Sequence, residues 1–183
     1  MTDYSKHLIT GQAPPGYTAQ PSHSGPASAD TGATRKELIE QWYLEPLEKM
    51  SGHEAFVCLA ICFLLYEKYL RAVHGLPPDY KFSEGAKVFR YIGEDFGVSE
   101  QMAFRFWSDW RNGLLHRGMP KAGGDYIWIL TGKQDDVVVE KGNEAWVNPW
   151  ILRDRIVHKL RQKKEIWRDA DSPLMREFKF IDP

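Results

Sequence analysis

One segment of this chain has residue types and spacing suited to chemistry: Trp110-Arg-Asn-Gly-Leu-Leu-His116-Arg117, which sets a guanidinium, an amide and an imidazole within six residues. Asn112 and His116 are four apart and share one face of a helix, so the amide can hydrogen-bond the ring and orient it. Arg111 and His116 are five apart, about 140° around a straight helix, and do not converge on one ligand unaided. Either Gly113 loosens the helix there, or two copies of the segment meet across a two-fold axis and each histidine faces the other copy's arginine. A guanidinium offers a forked donor to phosphate oxygens and stabilises the charge that builds on them. An imidazole with its ordinary pKa of about 6.5 takes or gives a proton at neutral pH. RNA brings its own nucleophile, the 2′-hydroxyl. The combination suits metal-independent cleavage of a phosphodiester.

Other catalytic signatures are missing. There is no glycine-rich phosphate loop, no HExxH, no GxSxG and no Cys/His cluster at zinc spacing, so neither a metal nor a cofactor is expected. His7, His23, His53, His74 and His158 are scattered, and Cys58 and Cys62, four apart in an apolar run, read as core thiols. Glu67, in Tyr66-Glu-Lys-Tyr69, is a second-tier candidate: it either pairs with Arg111 or is solvated beside Lys68. Arg117 beside the motif, and Arg153, Arg155, Lys159, Arg161, Lys163 and Lys164 on a later helix, are candidate contacts to an RNA backbone. That later basic run reads equally as a solvated face, or as the complement of the acidic Glu37–Glu54 stretch of another copy.

The elements that must position these groups follow from patterning. Thr34 and Glu37 form a capping-box pair that predicts a helix over about 35–50, ended by Ser51-Gly52. A second helix, about 53–73, is apolar nearly all round in its first half and belongs at the centre of a bundle. Gly75 and Pro77-Pro78 stop it. A third is predicted over about 83–96, and a fourth, capped by Ser99, over about 100–117. The fourth carries Met102, Phe104, Phe106, Trp107 and Trp110, more aromatic area than one stripe hides, which points to a partner chain on that helix. After Gly118 and Pro120, two β-branched and aromatic runs, Tyr126–Leu130 and Val137–Val139, predict a β-hairpin at about 125–140. Helical spacing returns over about 149–168, and Arg176–Ile181 alternates like an edge strand.

Composition bounds the rest. The chain has 183 residues with 43% hydrophobic and 13% aromatic, enough to bury a core and too much for disorder throughout. Residues 1–34 hold 22 Gly, Pro, Ser, Thr or Ala, which predicts a flexible N-terminal arm ahead of one domain, 35–183. The formal net charge is −1, so bulk charge attracts neither nucleic acid nor an acidic membrane. The longest apolar run, Ala55–Tyr66, is 12 residues, short of the roughly 20 that span a bilayer, and no secretory signal pattern opens the chain; a cytoplasmic location and no membrane partner are expected.

At Arg111-Asn112-Gly-Leu-Leu-His116 the sequence resembles the HEPN superfamily, whose signature is an arginine, a polar residue, three variable residues and a histidine. The resemblance implies an all-α bundle that dimerises through the motif-bearing helices, a homodimer through residues 100–117 in this chain. In many members it implies a metal-independent endoribonuclease, often a toxin paired with an antitoxin protein or a component of antiviral defence. Arg111 would then hold phosphate, His116 would be the catalytic or phosphate-contacting imidazole, and Asn112 would support it. The reading is thus a mainly α protein, a helical bundle of four to five helices with an inserted hairpin, that cleaves single-stranded RNA. The alternative is a non-catalytic HEPN-like dimerisation or adaptor module that binds a protein partner or a nucleotide.

Overall fold

Residues 37, 39–121, 124, 126–163 and 166 are described by a computed structural model. The expected arm (1–34), the Thr34 cap, Lys164 and the alternating run 176–181 lie outside them. The chain is mainly helical with a small three-stranded sheet.

A π-helical turn, Glu40–Leu44, runs into α1 (Glu45–Lys49), and the change of pitch falls just before Pro46, which has no N–H to continue the ladder. Ser51 does more than end this helix, because it opens the next one. Its backbone N–H donates to Glu54 Oε2 at 2.7 Å, closing a capping box over the 3₁₀ turn Gly52–Glu54. That turn leads into α2 (Ala55–His74), which Gly75 terminates at φ 61°. Cys58, Leu59, Cys62, Phe63, Tyr66 and Leu70 of α2 are buried, as its central position requires. Two apolar residues of it are open, however: Val57 is 55% and Leu64 is 49% exposed, seven residues apart along the helix.

The third helix, α3 (Val88–Phe96), starts about five residues later than its pattern predicts. Ser83–Ala86 are taken up by a turn, closed by Ala86 N–H donating to Ser83 O at 3.0 Å with Gly85 at φ 75°. Ser99 then caps α4 (Glu100–Phe106), its Oγ accepting from Met102 N–H at 3.1 Å. The rod continues through a π turn, Trp107–Arg111, into α5 (Asn112–Arg117), which Gly118 ends at φ 71°.

The aromatic surplus of this rod is hidden by the chain itself. Trp107 stacks on Phe82 (centroids 4.8 Å apart) and meets Phe63 edge-on, while Trp110 lies between Phe56 and Trp128. Phe106, Trp107 and Trp110 are each at most 1% exposed. Three separate segments wrap the rod, so its aromatic area calls for no partner chain.

The strands differ from expectation in their pairing. β1 (Ile127–Leu130), β2 (Val138–Lys141) and β3 (Glu144–Val147) form a sheet in the order β1-β3-β2. The hairpin predicted at about 125–140 does not form. β2 turns instead into β3 through Gly142-Asn143, with Gly142 at φ 65°, and β1 adds to the far edge of β3 in parallel. A Gly-Asn dipeptide between two strand runs is a stronger turn signal than the polar stretch 131–136 that separates β1 from β2. That stretch is held by Asn148, whose side-chain amide donates to Gln134 O at 2.7 Å while its Oδ1 caps α6 (Pro149–Gln162).

α6 packs along α2, and its cations face internal acceptors. Asp95 at the end of α3 accepts from Lys159 Nζ and from the Tyr66 hydroxyl, both at 2.6 Å, and its carbonyl accepts from Arg155 at 3.1 Å. Arg153 donates to Met50 O at 2.8 Å. Arg161 reaches both Glu40 and Glu48, so the basic helix meets the acidic segment within one chain.

The Arg161 guanidinium, hydrogen-bonded to Glu48, holds that carboxyl below the usual glutamate range. A lowered folded-state pKa contributes stability above the unfolded value of about 4.3, and that contribution is lost as pH falls through the folded value. The side chains are about one-third exposed, so the contribution is about 1 kcal/mol or less. Arg161→Gln should therefore lower the urea midpoint at pH 7, and the difference from the parent should shrink between pH 5 and 3. A difference independent of pH would show that the ion pairs contribute nothing.

Candidate functional site

The motif sits where the helical rod changes pitch. Asn112 N–H donates to Trp107 O, five residues back, so Trp107–Arg111 is a π turn carrying one residue more than an α turn. The wider turn lets Asp109 face inward with Trp107 and Trp110. Asp109 is 4% exposed and its Oδ2 accepts from Trp128 Nε1 at 3.0 Å, which joins β1 to the motif helix. The loosening expected at Gly113 is therefore displaced, since Asn112–Arg117 is ordinary α-helix and the expansion ends at Arg111.

Gly113 has a different task. A Cβ there would fall 2.6 Å from Met119 O and from Lys121 N, and 2.8 Å from Pro120 Cα, so only a glycine lets the chain lie on the helix at this turn. Lys121 N–H donates to Asp109 O at 2.8 Å and anchors the crossing. Gly124 serves the same return path: a Cβ on it would stand 2.9 Å from Asp109 Oδ2. Gly118 and Pro120 thus break the helix in order to fold the chain back over the motif.

Arg111 and His116 leave the helix on different sides. Arg111 turns to α2, where its Nε and Nη2 donate to Glu67 Oε2 at 3.1 and 2.5 Å. The other carboxylate oxygen, Oε1, accepts from Arg71 Nε and Nη2 at 3.1 and 2.9 Å. The Arg111 guanidinium also sits over the Trp107 ring, and its Nη1 donates to Asn112 Oδ1 at 3.0 Å. The latter bond fixes the amide: with the oxygen held by Arg111, the Asn112 nitrogen is the end able to donate to a ligand.

Asn112 and His116 open into a cleft of about 350 Å³, lined also by Ser108, Gly113, Arg117 and Lys121. His116, Arg117 and Lys121 are exposed, and among the described residues none of their side chains has an ion pair or a side-chain hydrogen bond. The cleft thus gathers an imidazole, two fixed cations, an amide donor and a hydroxyl. Such a set can hold an oxyanion and move a proton beside it.

The other candidates lie elsewhere. Arg153, Arg155, Lys159 and Arg161 have the intramolecular acceptors described above and line no part of the cleft, and Lys163 is exposed just beyond α6. Hydrogen bonding to Cys58, together with burial, pushes the Cys62 thiol up, in keeping with a core pair. Among the described residues no three His, Cys, Asp or Glu side chains gather in a way that could hold a metal ion, and no helix is long and apolar enough to cross a membrane. Two residues escaped the sequence reading. Asp109 sits in an aromatic run, Trp107-Ser-Asp-Trp110, where a carboxylate needs a buried donor, and Lys121 follows the Gly118 and Pro120 breaks that return the chain to the motif.

Glu67 is the common acceptor for Arg71 and Arg111, with side-chain exposures of only 14 to 23% among the three. Removing one member of such a partly buried cluster leaves uncompensated charge. Glu67→Gln should cost about 2 kcal/mol in urea unfolding with the slope unchanged, and an unshifted midpoint would show that solvent already screens the two guanidinium groups. Compared with protein-family models, with curated proteins and with solved structures, the chain matches none.

Proposed function

We propose that this chain is a HEPN-like endoribonuclease that cuts single-stranded RNA without a metal ion. The observation that carries the reading is the sharing of one cleft by Asn112 and His116 with the cations Arg117 and Lys121. RNA would enter with a phosphate among the donors and the adjacent 2′-hydroxyl toward His116. The neutral imidazole takes the 2′-hydroxyl proton as the 2′-oxygen attacks phosphorus. The P–O2′ bond forms and the P–O5′ bond breaks. The imidazolium, or a water beside it, returns the proton to the departing 5′-oxygen. The products are a 2′,3′-cyclic phosphate and a 5′-hydroxyl, and the cations stabilise the extra negative charge on the phosphoryl oxygens during the transfer.

Homodimerisation, pairing with an antitoxin protein and a role in antiviral defence belong to the same proposal and rest on the resemblance alone. The other reading, a non-catalytic module that binds a protein partner, is favoured by the exposed Val57 and Leu64 on α2.

The test is to incubate the purified protein and His116→Ala with mixed-sequence single-stranded RNA, with and without EDTA, and to identify the product ends. Cleavage that survives EDTA, leaves cyclic phosphate and falls by about 10²-fold or more in the variant is expected, since a positioned acid–base group contributes that much. His116 is exposed, so the variant should keep its circular dichroism spectrum and melting temperature. Intact RNA in every lane, or equal cutting by the variant, would overturn the reading and shift the weight to the protein-binding module.

A further inference from the structure

We propose that Lys121, and not Arg111, takes the phosphate opposite His116, so that one chain supplies both the proton-transfer group and the phosphate-binding cation. The inference rests on the ribonuclease reading and assigns within it a residue that lies outside the Arg-Asn-x-x-x-His motif.

Arg111 is committed elsewhere. Its forked Nε and Nη2 edge, the edge that recognises a phosphate in bidentate fashion, is closed on Glu67 Oε2. Its third donor contact holds Asn112 Oδ1. To reach a phosphate, the guanidinium would have to abandon both and leave Glu67 with Arg71 alone. Arg111 also points to α2 while His116 points into the cleft, which the five-residue spacing already requires. Arg111 is therefore a positioning residue that presents the Asn112 amide nitrogen to the ligand.

Lys121 meets the opposite conditions. Its backbone is pinned by the 2.8 Å bond to Asp109 O and by the close crossing over Gly113, while its side chain lines the same cleft as Asn112, His116 and Arg117. It has no ion-pair partner among the described residues, so binding an anion breaks no existing contact there. An ammonium on a flexible stem binds a phosphate oxygen as a point charge and needs no planar alignment. The crossing places this cation within the one chain, in the role that the two-copy arrangement would give to a second arginine.

Binding is separated from cutting by a short single-stranded 2′-O-methyl oligoribonucleotide, which lacks the nucleophile. Its affinity for the full chain is measured by fluorescence anisotropy across a salt series, in parallel with cleavage of the unmodified RNA. Each phosphate contact on a single strand contributes about 0.7 to the slope of log K against log salt. Lys121→Gln should reduce the slope by about that amount and lower kcat/KM, and Lys121→Arg should restore both. Arg111→Gln should leave the slope as it is while lowering kcat. An unchanged slope in Lys121→Gln, or a slope that falls in Arg111→Gln instead, overturns the assignment. Lys121-dependent binding without any cleavage by the parent would sustain the phosphate site and overturn only the ribonuclease reading. Cleavage that is lost in His116→Ala but indifferent to Lys121→Gln would do the reverse.

Discussion

The arrangement turns on one carboxylate. Glu67 offers each of its oxygens to a different guanidinium, Arg71 from its own helix and Arg111 from the motif helix, in a setting largely withdrawn from water. A carboxylate has about four acceptor positions, and here all are directed at forked donors. Arg71 extends the connection to the carbonyls of Pro77, Pro78 and Tyr80 and lies over the Phe82 ring. Phe82 in turn stacks on Trp107. A single anion therefore fixes the rotation of the motif helix about its axis, the path of the connection after α2, and the aromatic contact between them.

With that rotation fixed, the π turn and Gly113 decide what the motif faces. The extra residue in the turn lets Asp109 look inward to Trp128, and the missing Cβ lets residues 119–121 lie against the helix. The same turn that anchors Arg111 toward the interior therefore leaves Asn112 and His116 facing the returning chain. Charge is divided in a comparable way. Arg161, Arg155 and Lys159 are matched by Glu40, Glu48 and Asp95 and hold helices together, while Arg117 and Lys121 have no such partners among the described residues. A near-neutral chain thus carries a local positive cleft that its overall charge of −1 conceals.

Much of the helical framework was legible in the sequence because it depends on local signals: Ser99 as a cap, Gly75, Gly97 and Gly118 as stops, and apolar spacing between them. The misreadings arose where two local signals competed. Ser51 closes one helix and caps the next, Gly85 places a turn inside an apparently helical stretch, and Gly142-Asn143 outranks a longer polar stretch as the hairpin turn. The motif residues were visible as a spacing, and so was a possible acid at Glu67. Lys121 was not, because its place in the cleft depends on a close backbone crossing that neither periodicity nor composition encodes. The direction of Arg111 was also hidden, since it is set by a residue 44 positions earlier in the chain.

The sheet has a kinetic corollary. β2 and β3 are joined by a two-residue turn and can pair as soon as that turn closes, whereas β1 is joined to them only by a longer connection and, among the described residues, pairs with β3 alone. The middle strand must accordingly be in place before the parallel edge strand has a template. β1 brings Trp128, and Trp128 supplies the donor for Asp109 beneath the motif. The chemistry-bearing turn is thus completed from below by the strand that has to wait, so maturation of the cleft trails closure of the hairpin and is not set by the helices alone.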